Sequence, residues 1–231
     1  MTDTLGIVGA GKLGLTLART ALAAGYQVMI SGSGSADRIA LQAEVLAPGA
    51  STGTTADVTA FADTVVLALP MHRFRELPPD LFAGKVLIDA MNFWPETDGD
   101  DTEIAAAADG TSSVVQRHFP AARVVKTLNQ LGYHEIEDHT RPPGSDRIAM
   151  GIAGDDPIAV RTAMQLIDRL GFDPVNAGPL VNGRLLEPDG SPYATTYTEA
   201  ELTHRLGPAL ATSQAIPRSG CPSQVAAKSG V

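Results

Sequence analysis

The fold is decided by one stretch near the start of the chain, Leu5-Gly6-Ile7-Val8-Gly9-Ala10-Gly11-Lys12-Leu13-Gly14. A short apolar strand runs into a G-x-G-x-x-G turn, and an Ala/Leu-rich helix follows at once. In such a turn Gly9 permits the sharp bend, Gly11 lets a pyrophosphate approach the backbone, and Gly14 lets the helix pack closely on the strand. The free N–H groups and the dipole of the helix start favour phosphate. The pattern predicts a dinucleotide-binding unit; the alternative is an ordinary tight strand–helix turn.

Strand-like and helix-like segments alternate beyond this turn. The predicted strands are 5–8, 26–30, 64–69, 85–89, 122–126, 148–154 and 172–175, and the predicted helices are 12–24, 36–46, 58–62, 114–118, 156–170 and 199–210. Continuously apolar strands indicate a parallel sheet covered on both faces by helices. We therefore predict an α/β, doubly wound, mostly parallel Rossmann sheet with a small C-terminal extension. The predicted divisions are a dinucleotide-binding domain (1–140), a substrate-side region (141–212) and a flexible tail rich in Ser, Pro, Gly and Ala (213–231).

Composition narrows the class of protein. The net charge of −9 argues against nucleic-acid binding and against attraction to an anionic membrane. The single cysteine, Cys221, cannot form an internal disulfide, which favours a reducing compartment. There is no Cys/His cluster that would suggest a metal site, no basic signal-peptide start, and no apolar run near the ~20 residues that span a bilayer. We expect a soluble, cytoplasmic protein that binds small molecules.

The loop after the second predicted strand bears on the choice between NAD and NADP. An NAD site usually places Asp or Glu there, but the segment Ser31-Gly32-Ser33-Gly34-Ser35-Ala36-Asp37-Arg38 has no carboxylate at its first two positions. Hydroxyls of Ser31 and Ser33, backbone N–H groups and Arg38 could hold a 2′-phosphate, which favours NADP. Asp37 could reach the ribose but is better suited to cap the next helix.

Ligands of open parallel sheets bind beyond the carboxyl ends of the strands, so the ends of the strands predicted at 64–69 and 85–89 should border the nicotinamide. Asn92 there could equally be a turn residue. The predicted cofactor-binding residues are Gly9, Ala10, Gly11, Lys12, Leu13, Gly14, Ser31, Gly32, Ser33, Arg38, Leu69, Pro70, Ala90, Met91 and Asn92.

Six segments, taken in order and spacing, resemble the NADP oxidoreductase, coenzyme F420-dependent family. They are Gly6–Gly14, Val65–Pro70, Lys85–Asp89, Val124–Asn129, Ile152–Asp156 and Asn176–Leu180. The resemblance covers about residues 5 to 187 and implies hydride transfer between C4 of NADP(H) and C5 of a deazaflavin, coenzyme F420. Such a reaction needs little acid–base chemistry from the protein, which holds two flat rings face to face and excludes water.

The resemblance puts the second ring just past the strand predicted at 122–126, where Asn129, Leu131 and His134 are the candidate catalytic contacts. Leu131 could equally be a core residue, and a lone His is more often structural. Archaeal members of the family carry Ser-Arg where this chain has Ser31-Gly32, and His where it has Asn129. An asparagine there could hydrogen-bond a ring carbonyl.

Other residues were considered for the second site. Lys126, Arg147 and Arg184 could form the basic patch that an anionic deazaflavin tail requires, and Phe93 with Trp94 could wall the ring pocket or pack in the core. Two other functions stay open: a reductase of another acceptor (imine, carbonyl or flavin), and a dinucleotide sensor without turnover. Small reductases of the resembling family are often dimers, so we expect a homodimer.

Overall fold

An eight-stranded sheet forms the centre of the structure, a computed structural model that describes residues 3–190 and 192–214. The strands are β1 (Thr4–Val8), β2 (Gln27–Ser31), β3 (Ser51–Gly53), β4 (Thr64–Leu67), β5 (Val86–Asp89), β6 (Arg123–Lys126), β7 (Ala149–Gly154) and β8 (Asp173–Gly178). Their order is β3-β2-β1-β4-β5-β6-β7-β8, and every neighbouring pair is parallel except β6 and β7. The predicted α/β, mostly parallel sheet is confirmed.

Helices cover both faces of this sheet. They are α1 (Lys12–Ala23), α2 (Asp37–Leu46), α3 (Thr55–Phe61), α4 (Pro95–Asp98), α5 (Thr102–Ala105), α6 (Thr111–His118), α7 (Tyr133–His139), α8 (Pro157–Arg169) and α9 (Glu199–Gln214). Short 3-10 helices span Met71–Glu76, Pro79–Phe82 and Leu180–Leu186. Within the described ranges, none of the helices has the length and apolar character to cross a bilayer.

Local chemistry explains where the elements differ from prediction. Helix α3 begins at Thr55 rather than at residue 58 because Thr54 and Asp57 form a reciprocal capping box. Asp37 was expected to cap α2, but Ala36 occupies that position and Asp37 lies in the first turn without a capping bond. Strand β3 is absent from the prediction, since Ser51–Gly53 is too short and polar to be recognised as a strand.

Two hydrophobic clusters hold the helices on the two faces. One joins the sheet to α1, α2 and α8 and includes Ile7, Leu17 and Ile167, all fully or almost fully buried. The other joins the opposite face to α6 and the 3-10 segments and includes Phe74 and Phe119. Burying both faces is what a doubly wound sheet requires.

The direction of the chain reverses between β6 and β7. Val125 pairs with Gly154 and Lys126 with Ala153 in antiparallel register, so β7 begins at the edge where β1, β4, β5 and β6 end. Strands β7 and β8 continue the same sheet past the boundary predicted near residue 140. Helix α9 extends to Gln214, two residues into the predicted tail, and packs on β7 and β8. Residues 215–231, with Cys221, lie outside the described residues.

Candidate functional site

The three glycines of the turn have three different surroundings. A β-carbon at Gly9, where φ is +123°, would lie 2.1 Å from the carbonyl oxygen of Ala68. A β-carbon at Gly14 would lie 1.8 Å from the carbonyl oxygen of Gly9, so α1 packs directly against the turn. At Gly11, the N-cap of α1, a β-carbon would meet no atom within 4 Å. The turn is closely packed at two glycines and open at the third, in front of the N-terminus of a 12-residue helix.

A cavity of about 390 Å³ opens in front of this turn. The glycine turn, the loop between β2 and α2, and the segment that follows β4 form its walls. Its lining residues are Val8, Gly9, Ala10, Gly11, Gly32, Ser33, Arg38, Ile39, Gln42, Thr55, Ala68, Leu69, Pro70, Arg73, Glu76 and Leu77. Arg73 and Glu76 were not predicted as cofactor residues. They follow the carboxyl end of β4, and ligands of open parallel sheets bind beyond such strand ends.

Several predicted cofactor residues do not line this cavity. Ser31 is fully buried, and its hydroxyl has no hydrogen-bond partner among the described atoms. The ammonium of Lys12 lies 5.3 Å from the ring centre of Tyr133, on the side of α1 that faces α7. The others are Leu13, Gly14, Ala90, Met91 and Asn92; all are at least partly buried.

Charged side chains stand on two walls of the cavity. Arg38 is exposed and forms no ion pair with the residues that the structure describes; its guanidinium lies over the backbone at Gly34, within 3.1 Å of where a β-carbon would be. Arg73 Nη2 donates to Glu76 Oε2 at 2.8 Å. This hydrogen bond lowers the pKa of Glu76 and raises that of Arg73, so both stay charged near neutral pH.

A buried polar cluster lies at the ends of β5 and β6. Asp89 Oδ1 accepts the N–H of Met91 at 3.0 Å, and Oδ2 accepts the hydroxyl of Ser112 at 2.6 Å. Lys126 Nζ lies 3.4 Å from Asp89 Oδ2 and donates to the carbonyl oxygen of Met91 at 2.5 Å. Both charged side chains are fully buried. The cluster fixes the backbone turn that follows β5.

Asn129 follows β6 and is tied to its neighbours through its amide nitrogen. Nδ2 donates to Asn92 Oδ1 at 3.0 Å and to the carbonyl oxygen of Leu186 at 2.7 Å, while Asn92 Nδ2 donates back to the carbonyl oxygen of Asn129 at 2.8 Å. Oδ1 of Asn129 is buried and has no partner among the described atoms. The amide N–H groups, which the sequence suggested as donors to a ring carbonyl, are therefore already bonded within the protein.

The structure does not bring the other two second-site candidates together with Asn129. Leu131 is buried in the hydrophobic cluster that includes α1 and α8, as its core alternative predicted. His134 is exposed on α7 and lines a separate pocket of about 210 Å³ that Lys12 and Arg19 also line.

The proposed basic patch is not assembled. Lys126 is buried with Asp89, and Arg147 is 8% exposed with its guanidinium 2.7 Å from Asp168. Arg184 is exposed and donates to the carbonyl oxygen of Ala108.

The predicted aromatic pair is likewise divided. Phe93 packs on the hydrophobic cluster of α6, whereas exposed Trp94 makes an edge contact with Tyr193.

Residues 4–93 match the family model described as NADP oxidoreductase, coenzyme F420-dependent. The resemblance seen in the sequence is confirmed over that segment. It runs from β1 to the turn after β5 and contains the glycine turn, Arg38, Arg73 and Glu76. The match supports an NADP-linked oxidoreductase.

Similar proteins extend the comparison along the chain. The Escherichia coli (strain K12) protein YjhV is 37% identical over 69 residues, which are 29% of this chain and 50% of that protein, so the chain spans about half the length of that relative. The structure of an Arthrobacter sp. FB24 protein described as an F420-dependent NADP reductase is 25% identical, with a TM-score of 0.67 over 90% of this chain and 94% of that one. SMa0349 from Sinorhizobium meliloti is 24% identical, with a TM-score of 0.74 over 86% of this chain and 96% of that one, and shows the shared fold.

Proposed function

We propose that the protein transfers a hydride between NADP(H) and a deazaflavin of the coenzyme F420 type. The observation that carries the proposal is the open space at Gly11, in front of α1 and inside a cavity that also holds Arg38. Residues 4–93, which match the F420-dependent family, contain this whole arrangement.

The residues around the cavity fit NADP. Gly11 and the first N–H groups of α1 would hold the pyrophosphate, and Ser33 with Arg38 would hold the adenosine side and its 2′-phosphate. Leu69 and Pro70 at the end of β4 would border the nicotinamide half. When bound, NADPH supplies a hydride from C4 of its ring.

The chain's part in the reaction is to orient and to exclude water. The cluster of Asp89 and Lys126 holds the backbone at Met91, just past β5, through the bonds to its N–H and its carbonyl oxygen. Asn129 is held by the two hydrogen bonds that its Nδ2 donates, so its side chain keeps one orientation beside Asn92. Such fixed groups save reorganisation during transfer.

The support for a deazaflavin as the acceptor is the family match together with the Arthrobacter structure. The three cations considered for its anionic tail do not form a patch, so this half of the proposal rests on resemblance. The deciding experiment therefore varies the acceptor.

NADPH consumption by the full chain is followed by absorbance with F420, FMN, small imines and small carbonyls offered in turn. We expect turnover with F420, loss of it in Gly11→Ala, and retention of it in Gly207→Ala. The latter is a matched control because a β-carbon at Gly207 also meets no atom within 4 Å, but on α9.

Turnover of another acceptor without F420 turnover would replace the deazaflavin by that acceptor class. Saturable NADPH binding with no turnover of any acceptor would instead favour a dinucleotide sensor.

We also propose that the protein is a cytoplasmic homodimer. Light scattering of the purified chain should return twice the mass of 24.0 kDa. A monomer mass at working concentrations would reject the dimer.

A further inference from the structure

The two arginines of the cavity reach it from different sides of the glycine turn. Arg38 follows β2, and Arg73 belongs to the 3-10 helix Met71–Glu76 that follows β4. In the sheet, β2 and β4 flank β1, the strand that leads into the turn. A dinucleotide lying across the turn would therefore have one guanidinium on each side.

Position 32, just past β2, is closely packed. A β-carbon at Gly32 would lie 2.6 Å from Cγ2 of Ile39 and 3.4 Å from the β-carbon of Ala10. Any long side chain at position 32 would displace Ile39, a buried residue of α2. Among the described residues that line the cavity, the cations are Arg38 and Arg73.

Arg73 is already paired inside the cavity. Its Nε lies 3.2 and 3.3 Å from the two oxygens of Glu76, and its Nη2 lies 2.8 Å from Oε2. The side chains are 38% and 58% exposed, so water competes for both and the pair can open at small cost. Glu76 left alone would repel a phosphate, whereas Arg73 set free would attract one.

We propose that Arg73 determines the preference for NADP through an exchange of partners. Glu76 holds the guanidinium in the free protein, and the adenosine 2′-phosphate takes the place of Glu76 while Arg38 binds the phosphate from the other side. The planar fork that contacts both carboxylate oxygens suits two phosphate oxygens equally well. This inference rests on NADP as the cofactor but not on the identity of the acceptor.

The test measures binding without turnover. The full chain is titrated by calorimetry with NADPH, NADH, adenosine 2′,5′-bisphosphate and AMP. Arg73→Met should weaken NADPH about 10- to 100-fold, the range expected for one charge-assisted hydrogen bond, and change NADH by about twofold or less. In Arg73→Met, the affinity for the bisphosphate should fall as the affinity for NADPH does, and the affinity for AMP should change as little as the affinity for NADH. Arg73→Lys, which keeps the charge without the fork, should fall between.

The variant Glu76→Gln tests whether the 2′-phosphate replaces Glu76 as the partner of Arg73. It should tighten NADPH by about two- to fivefold because the competing carboxylate is gone, and this gain should shrink when Arg73→Met is present. Arg75→Met is the matched control: Arg75 lies on the same 3-10 helix but pairs with Asp101 and Glu103 and is not on the cavity wall.

Three results would overturn the proposal. Equal losses for NADPH and NADH in Arg73→Met would assign Arg73 to the adenine or the pyrophosphate. Unchanged NADPH affinity would remove it from the site. Weaker NADPH binding in Glu76→Gln would make Glu76 a direct cofactor contact. These titrations do not use F420. Their outcome is therefore independent of whether F420 or another compound is the hydride acceptor.

Discussion

Alanine at Gly11 and alanine at Gly14 should have opposite consequences, although the two glycines lie three residues apart. The backbone of Gly11 has φ −82° and ψ −172°, which any residue can adopt, and its β-carbon would enter empty space. Alanine is poorer than glycine as an N-cap by roughly 0.5–1 kcal/mol. It also restricts the unfolded chain, which returns about 0.4–1 kcal/mol. We expect the free energy of unfolding of Gly11→Ala to change by about 0.5 kcal/mol or less.

Binding should change far more than stability in that variant. The added methyl group occupies the space through which a phosphate oxygen would reach the backbone N–H groups of α1. Loss of one hydrogen bond to a charged group costs about 1.5–3 kcal/mol, which corresponds to NADPH affinity about 10- to 150-fold lower.

Gly14→Ala should instead destabilise the fold. A β-carbon 1.8 Å from the carbonyl oxygen of Gly9 cannot be accommodated without moving α1 away from the turn. We expect a loss of several kcal/mol, on the order of 3 or more, in the range of severe overpacking.

The assay is paired: thermal or urea unfolding, and NADPH titration, on both variants and on Gly207→Ala. A folded Gly11→Ala variant that binds NADPH within about twofold of the parent would show that the pyrophosphate does not lie on the turn. A Gly14→Ala variant as stable as the parent would show that α1 does not pack directly against the turn.

Two further predictions concern the packing around the site. Lys126→Met should cost about 3–5 kcal/mol in urea unfolding because it leaves Asp89 buried without its cation, and adding Asp89→Asn should recover part of that loss; a cost below about 1 kcal/mol would show that the pair is not a buried ion pair in solution. Arg19 Nε donates to Glu137 Oε1 at 2.6 Å, and because these side chains are 33% and 42% exposed, Glu137→Gln should cost only about 0.5–1 kcal/mol. Since Arg19 lowers the pKa of Glu137, the stabilisation is present above the ordinary glutamate pKa and is lost as pH falls through the lowered one. The difference in Tm between parent and variant should thus close below about pH 4, and a difference that grows in acid would contradict this account.

The sequence was sufficient for features that depend on neighbouring residues. The glycine turn, the apolar strands and the helix that follows the turn are local patterns, and the structure has them within a few residues. Ser31 shows the limit: the sequence placed it in the loop after the second strand, whereas it is the last residue of β2 and is fully buried, because helices cover both faces of the sheet.

Contacts between distant segments could not be read from the sequence. Asp89 and Lys126 pair because they are partners in the register of β5 and β6, and that register is a property of the assembled sheet. Arg73 was missed because a 3-10 helix after Pro70 has neither the period of a long helix nor a glycine pattern. Asn129 was singled out correctly as a residue past β6, but only the placement of Asn92 and Leu186 fixes which of its amide atoms is available.

The reversal between β6 and β7 bears on how such proteins can diverge. Everything in the family match, residues 4–93, precedes the reversal, whereas Leu186, which meets Asn129, comes after it. Inheritance of the first part can therefore preserve the dinucleotide chemistry while the later segments are exchanged. Under the proposed function, a chimaera joined within β6 to the corresponding later part of a relative should bind NADPH as the parent does and reduce the donor's acceptor.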